Sequence, residues 1–155
     1  MQGTSPGKLL LVEDNPDDEA LMLRAFKKSN IKEEVVVVRD GAEAVQYLLE
    51  QGTNGDECRE VLPRVVFLDL KLPRLDGLEV LQRIRSNPAT RLLPVVILTT
   101  SGQVEDLRRS YVLGASSFVR KPLSYSELIK VASHLVTYWL TINQVPFASP
   151  NHVTP

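Results

Sequence analysis

Val65-Val66-Phe67-Leu68-Asp69-Leu70-Lys71 decides how the rest of this 155-residue chain is read. Four apolar residues in succession read as a short strand buried on both faces, since a half-exposed strand would alternate. The run ends on Asp69, and a carboxylate at the end of a buried strand needs a partner. Four further runs share this character: Leu9–Val12, Val35–Val38, Val95–Leu98 and a weaker Phe118–Val119. Helix-like segments follow each run. Pro16 suits a first helical position, with Asp17, Asp18 and Glu19 complementing the dipole of that helix. Asp40 can cap a helix through Ala44, Val45, Leu48 and Leu49 that stops at Gly52. Leu78, Val80, Leu81 and Ile84 form the apolar face of a third, closed by Asn87 and Pro88. A fourth is expected over Val104–Leu113, ended by Gly114, and a fifth from Ser124 to about Leu140. Five strands alternating with five helices predict a doubly wound α/β domain with a five-stranded parallel sheet.

Composition narrows the function classes. The 18 Lys+Arg and 19 Asp+Glu sum to −1, which argues against a nucleic-acid binder. No apolar run approaches the ~20 residues of a membrane span. Met1–Gly7 lacks the basic start and apolar stretch of a signal peptide, and Cys58 stands alone without a CxxC companion. The expectation is a cytoplasmic protein with one domain over 8–141, an N-terminal tail over 1–7 and a C-terminal extension over 142–155. Thr53–Pro63 is the longest connection, polar and expected to be exposed.

In such sheets ligands sit at the carboxyl ends of the strands, near the switch in strand order. Glu13 and Asp14 follow the first run, Asp69 the third, Thr99, Thr100 and Ser101 the fourth, and Lys121 with Pro122 the fifth. Three carboxylates at one edge repel each other unless a cation lies among them. An all-oxygen cluster with few protein ligands suits Mg²⁺. Lys121 adds a compact positive charge able to hold a phosphoryl oxygen. Asp69, ionised at pH 7, could attack phosphorus to give an acyl phosphate without a partner base. Taken singly, each residue has a blander reading: acids as helix-dipole partners, Thr99 as a strand-end hydroxyl, Lys121 as a solvated turn lysine. Their convergence on one edge favours the phosphoryl site.

The motifs Leu10-Leu-Val-Glu-Asp14, Phe67-Leu-Asp-Leu-Lys-Leu-Pro73 with Asp76-Gly77, Val95-Val-Ile-Leu-Thr-Thr100 and Gly114-Ala115 leading to Phe118 and Lys121-Pro122 resemble the receiver domain of bacterial two-component response regulators. The resemblance runs from Lys8 to about Leu140, and the family spacing is met by 30 residues from Asp69 to Thr99 and 52 from Asp69 to Lys121. It implies a flavodoxin-like receiver fold with Asp69 as phosphoacceptor. It makes Asp14 a direct Mg²⁺ ligand, Glu13 a ligand through water, and the backbone carbonyl of Lys71 the last protein ligand. It makes Thr99 the switch hydroxyl, Phe118 the switch aromatic and Lys121 the phosphate contact, before a cis peptide to Pro122. Two positions depart from the commonest pattern. Glu13 stands where many members have Asp, and Phe118 lacks the hydroxyl that many carry.

The implied activity is a phosphoacceptor switch, not an enzyme acting on other substrates. A sensor histidine kinase donates the phosphoryl group, and water later removes it. The 33 residues after Pro122 leave no room for an output domain of about 50 residues, so output is expected through protein interaction or a phosphorelay step. On the last helix Leu128, Ala132, Leu135 and Trp139 form one apolar stripe and Ile129, Val136 and Leu140 a second. The first is expected on the sheet. The second, with Trp139 and residues near Pro146 and Phe147, is expected in a homodimer contact. The long connection, the Arg91–Ser101 stretch and the late Trp-Leu helix end also resemble regulators paired with bacterial phytochrome kinases. Three other classes fit less well. An Asp-nucleophile phosphohydrolase wants a second Asp where Lys71 stands, nucleotide binding wants a GxGxxG or GxxxxGK that is missing, and a dead interaction module would not fill every family position.

Overall fold

A computed structural model describes residues 7–50 and 62–146. The strands are β1 (Lys8–Val12), β2 (Glu34–Val38), β3 (Val65–Leu68), β4 (Val95–Thr99) and β5 (Ser117–Arg120). The helices are α1 (Pro16–Lys28), α2 (Gly41–Val45), α3 (Gly77–Ser86), α4 (Val104–Val112) and α5 (Tyr125–Thr137). Wider π-helical turns continue α2 through Gln46–Glu50 and α5 through Tyr138–Ile142. All five strands are parallel, in the order β2-β1-β3-β4-β5. The chain leaves β1 outward to β2 and returns past it to β3, so the switch in direction lies between β1 and β3.

The continuous apolar runs are explained by two cores. Leu9 and Leu11 of β1 and Phe67 of β3 face α1 and α5, where Phe67 stacks on Phe26 with ring centres 5.9 Å apart. Leu10, Val12, Val66 and Leu68 face the opposite way, toward Ala44, Leu78, Leu81 and Ile84 of α2 and α3. Successive residues serve opposite layers, so every position must be apolar.

Helix starts are written into side chains. Asn15 accepts from the N–H groups of Asp17 and Asp18 ahead of Pro16. Asp40, Asp76 and Ser124 accept from the N–H of Glu43, Glu79 and Glu127 in turn. Each satisfies an amide that the first helical turn leaves without a partner. Gly114 closes α4 with φ +100°, a conformation that side chains disfavour.

At the amino end of the sheet a single side chain ties three segments together. Arg85, near the end of α3, donates to the carbonyls of Gly114 (2.8 Å), Arg91 (3.0 Å) and Leu93 (2.7 Å). It thereby fastens the approaches to both β4 and β5. Burial pushes its pKa down from the usual value, and no carboxylate among the described residues lies within ion-pair distance of it.

The last helix corrects one expectation. Val136 and Leu140, expected at a dimer contact, are buried with Leu128 and Ala132 against β1, β3 and α1. Residues 128, 132, 136 and 140 make one row at a spacing of four, and that row packs on the sheet. Ile129, Leu135 and Trp139 are half-buried beside it, while Tyr138 and Ile142 are exposed. Gly52, the Thr53–Pro63 connection, Cys58 and Phe147 lie wholly or mostly outside the described residues.

Candidate functional site

Strand register builds the site. Val12 pairs with Leu68, so Glu13 and Asp69 leave their strands side by side, and the Asp69 N–H donates to Val12 O at 3.2 Å. Thr99 pairs with Arg120, so Lys121 emerges one residue beyond β4, its N–H donating to Thr99 O at 2.7 Å. The Asp69 peptide is held from the other direction by α3. The Gly77 N–H donates to Leu70 O at 2.8 Å, and a Cβ on Gly77 would lie 2.2 Å from Asp69 O. Only glycine permits that approach.

Lys121 occupies the centre. Its Nζ lies 2.5 Å from Glu13 Oε1, 2.9 Å from Asp69 Oδ2 and 2.9 Å from Asp18 Oδ2. The ammonium's three N–H groups thus have three carboxylate acceptors. Lys121, Asp69 and Glu13 are only 4%, 7% and 1% exposed. Burial alone would lower the Lys121 pKa, but the charges of Asp69 and Glu13 and the hydrogen bonds to Glu13 and Asp18 outweigh it, and the net shift is upward. For Glu13 burial dominates. Its pKa is pushed up to about 7, against the opposing pull of Lys121 and with a further push from Asp69. Glu13 also accepts from the Asn15 N–H through its other oxygen, at 3.2 Å.

Glu13, Asp14 and Asp69 each place a carboxylate oxygen so that all three lie within 4.8 Å of one another. Asp14 is the exposed member of the trio. Three hard oxygens, two on buried carboxylates and one open to solvent, fit a divalent cation that keeps part of its water shell. Asp69 Oδ1 accepts from the Lys71 N–H at 3.3 Å, which leaves the Lys71 carbonyl as a separate donor group.

The other expected residues take up graded positions. Thr99 is fully buried, and its hydroxyl accepts from the Ser101 N–H at 3.3 Å. Ser101 in turn donates to Asp106 of α4 at 2.5 Å, a link that the sequence did not reveal. Phe118 is half-buried against the core layer shared with α3. The Lys121–Pro122 peptide is trans, as are all peptides among the described residues. Trans is the form an X–Pro bond favours by about 0.5–1 kcal/mol when nothing imposes the other. Asp18 is the residue that sequence reasoning assigned to another task. Read as a dipole partner, it is a direct partner of Lys121.

Comparison with known proteins settles the family. The family described as response regulator receiver domain matches residues 9–133. The chain belongs to the response regulator receiver family. Two curated relatives cover nearly its whole length. A probable methanogenesis regulatory protein, FilR2 of Methanothrix harundinacea, is 39% identical over 146 residues, covering 94% of this chain and 92% of that protein. Response regulator Rcp1 of Synechocystis is 35% identical over 147 residues, covering 95% and 98%. Among solved structures, the phosphorylated cyanobacterial phytochrome response regulator RcpA superposes with a TM-score of 0.83 at 37% identity, covering 92% of this chain and 99% of that one. The Mn²⁺-bound form of Rcp1 gives 0.81 at 34% identity, covering 92% and 100%. As a receiver, the chain has a sensor histidine kinase as its implied partner, and its parallel five-stranded sheet is the receiver fold. No described helix is long and apolar enough to cross a membrane.

Proposed function

We propose that this receiver takes a phosphoryl group on Asp69 from the phosphohistidine of a sensor kinase and signals through phosphorylation-dependent protein contacts in the cytoplasm. The observation that carries the proposal is the pairing of a buried Asp69 with Lys121 at 2.9 Å inside a trio of acids. A carboxylate oxygen of Asp69 attacks phosphorus. The O–P bond forms as the N–P bond breaks, and the imidazole nitrogen leaves with the electron pair and takes a proton from solvent. Lys121 moves one or more of its N–H groups from carboxylate to phosphoryl oxygen. Glu13, Asp14, Asp69 and the Lys71 carbonyl would hold Mg²⁺, which when bound neutralises charge on the transferring group. Water later attacks phosphorus, restoring the Asp69 carboxylate and releasing inorganic phosphate. The new phosphoryl oxygens offer acceptors to the Thr99 hydroxyl, and Phe118 can repack as Thr99 moves.

The kinase proposed is of the phytochrome type, a class that includes the bacteriophytochromes, on the strength of the likeness to the phytochrome response regulator RcpA and to the bacteriophytochrome response regulator AtBRR. Incubation with acetyl phosphate and Mg²⁺ followed by intact-mass measurement is expected to give an 80-dalton adduct (about one phosphoryl group) in wild type and none in Asp69→Asn. An equal adduct in the variant, or none in wild type, overturns the assignment. A homodimer contact at the end of α5 now rests on Tyr138, Trp139 and Ile142, with Ile129 beside them. Light scattering on the same samples tests it: a monomer in both states removes the contact.

A further inference from the structure

Two of the three carboxylates around Lys121 change their demands when the site works. Asp69 becomes an acyl phosphate, and both Asp69 and Glu13 belong to the trio that would share oxygens with a cation. The third, Asp18, lies outside that trio, 2.9 Å from the Lys121 Nζ with its side chain 18% exposed. It stands on the first turn of α1, and its own N–H is already accepted by Asn15 at 3.1 Å. The Asn15 cap therefore fixes the backbone of Asp18 and leaves its carboxylate free to reach across to Lys121, just beyond β5. A lysine has a flexible four-carbon stem, so a partner whose charge and place do not change is what keeps its ammonium at the site.

We infer that Asp18 is a positioning residue for phosphoryl transfer, holding the Lys121 ammonium in place while Asp69 is phosphorylated and Glu13 shares its oxygens with the cation. The inference rests on Asp69 being the phosphoacceptor. Its alternative is service to the helix dipole alone, and the neighbour provides the control. Asp17 is exposed on the same helical turn, is capped by the same Asn15, and forms no ion pair among the described residues. A dipole role would be shared by both acids. A Lys121 role belongs to Asp18 alone.

The test compares initial rates of phosphorylation by acetyl phosphate with Mg²⁺, read by intact mass, for wild type, Asp18→Ala, Asp18→Asn and Asp17→Ala. Asp18→Ala is expected to slow phosphorylation about tenfold, less than the ~10²-fold that a 1 Å misplacement in a reacting site can cost, because Lys121 keeps its other partners. Asp18→Asn keeps an acceptor oxygen and the shape of the turn, and is expected to lose only about threefold. Asp17→Ala is expected to match wild type. A second readout needs neither metal nor donor. The Lys121 ammonium should give a slowly exchanging ¹H–¹⁵N signal in wild type and Asp17→Ala, and lose it in Asp18→Ala. Wild-type rates in both Asp18 variants, faster rates in either, or equal losses in Asp17→Ala and Asp18→Ala would overturn the role of Asp18. No adduct on wild type would instead overturn the phosphoacceptor reading beneath it.

Discussion

Two withdrawn cations sit at opposite ends of the same sheet. Lys121, at the carboxyl end, is surrounded by carboxylates; Arg85, at the amino end, is surrounded by backbone carbonyls. Burial opposes the charge of both. At Lys121 neighbouring negative charges reverse the effect and raise its pKa, whereas at Arg85 nothing does and the pKa falls. Carboxylates can take up a proton, a metal or a phosphoryl group, so the lysine's environment is exchangeable. Backbone carbonyls take up neither a proton near neutral pH nor a phosphoryl group, and the three around Arg85 are already engaged by its guanidinium, so the arginine's environment is fixed. The first environment can change, and the second ties together the approaches to β4 and β5.

Substitution of Lys121 should break this contrast most visibly. Lys121→Ala is expected to cut the initial phosphorylation rate by about 10²–10³-fold, the loss typical of removing a preorganised donor to developing charge. The variant should stay folded, because Glu13, poised near neutrality, can take up a proton when the cation is gone. Thermal melting alongside the mass time course checks both parts. Loss of folding with no loss of rate per folded molecule would place Lys121 with Arg85.

Arg85 should give the opposite pattern. Arg85→Ala strands the carbonyls of Gly114, Arg91 and Leu93 and is expected to lower stability by about 2–4 kcal/mol, measured by urea unfolding, with phosphorylation of the folded protein unchanged. Arg83, two residues earlier on the same helix, pairs with Glu79 at 3.5 Å in the open. Its removal should cost less than about 0.5 kcal/mol. Equal losses for the two arginines would mean that burial among carbonyls confers nothing.

The smallest effect concerns pH. With the metal chelated, folding raises the Glu13 pKa from 4.5 to about 7, so the folded state holds the proton that the unfolded state releases. Stability from this group is fully present below pH 4.5 and is lost as pH rises through about 7. Wild type is therefore expected to lose roughly 1–3 kcal/mol more than Glu13→Gln between pH 5 and pH 8 in urea titrations. Identical slopes would remove Glu13 as the titrating acid. The Arg85 end should contribute nothing across this range.

How much of this was open to reading differs between the two ends. The carboxyl edge was legible because short runs such as Val65–Leu68 end abruptly and a parallel sheet gathers whatever follows them. Asp69, Glu13, Asp14, Thr99 and Lys121 could be named from that rule. Asp18 could not be separated from Asp17, since the phase of α1 depends on where Asn15 caps it; one residue's rotation decides which acid faces β5. An acid at the third helical position after a site loop was the available signal. Arg85 was invisible, because on an amphipathic helix a basic residue near the C-terminus reads as a solvated dipole partner. The last helix misled for a related reason. Two apolar stripes were visible, but the row that meets the sheet is drawn from both, Leu128 and Ala132 from one and Val136 and Leu140 from the other.

The closeness of Gly77 to Asp69 has a mechanical consequence. Because no side chain fits between Gly77 and the Asp69 carbonyl, α3 lies directly against the Asp69 peptide and is bonded to Leu70 beside it. On the β4 side α4 buries only Ser110, and its link to the site is Ser101, which donates to Asp106 and accepts from the N–H of the capping residue Gln103. The site therefore works like a vise with one fixed jaw. A displacement begun at Asp69 is expected to be taken up by the movable one.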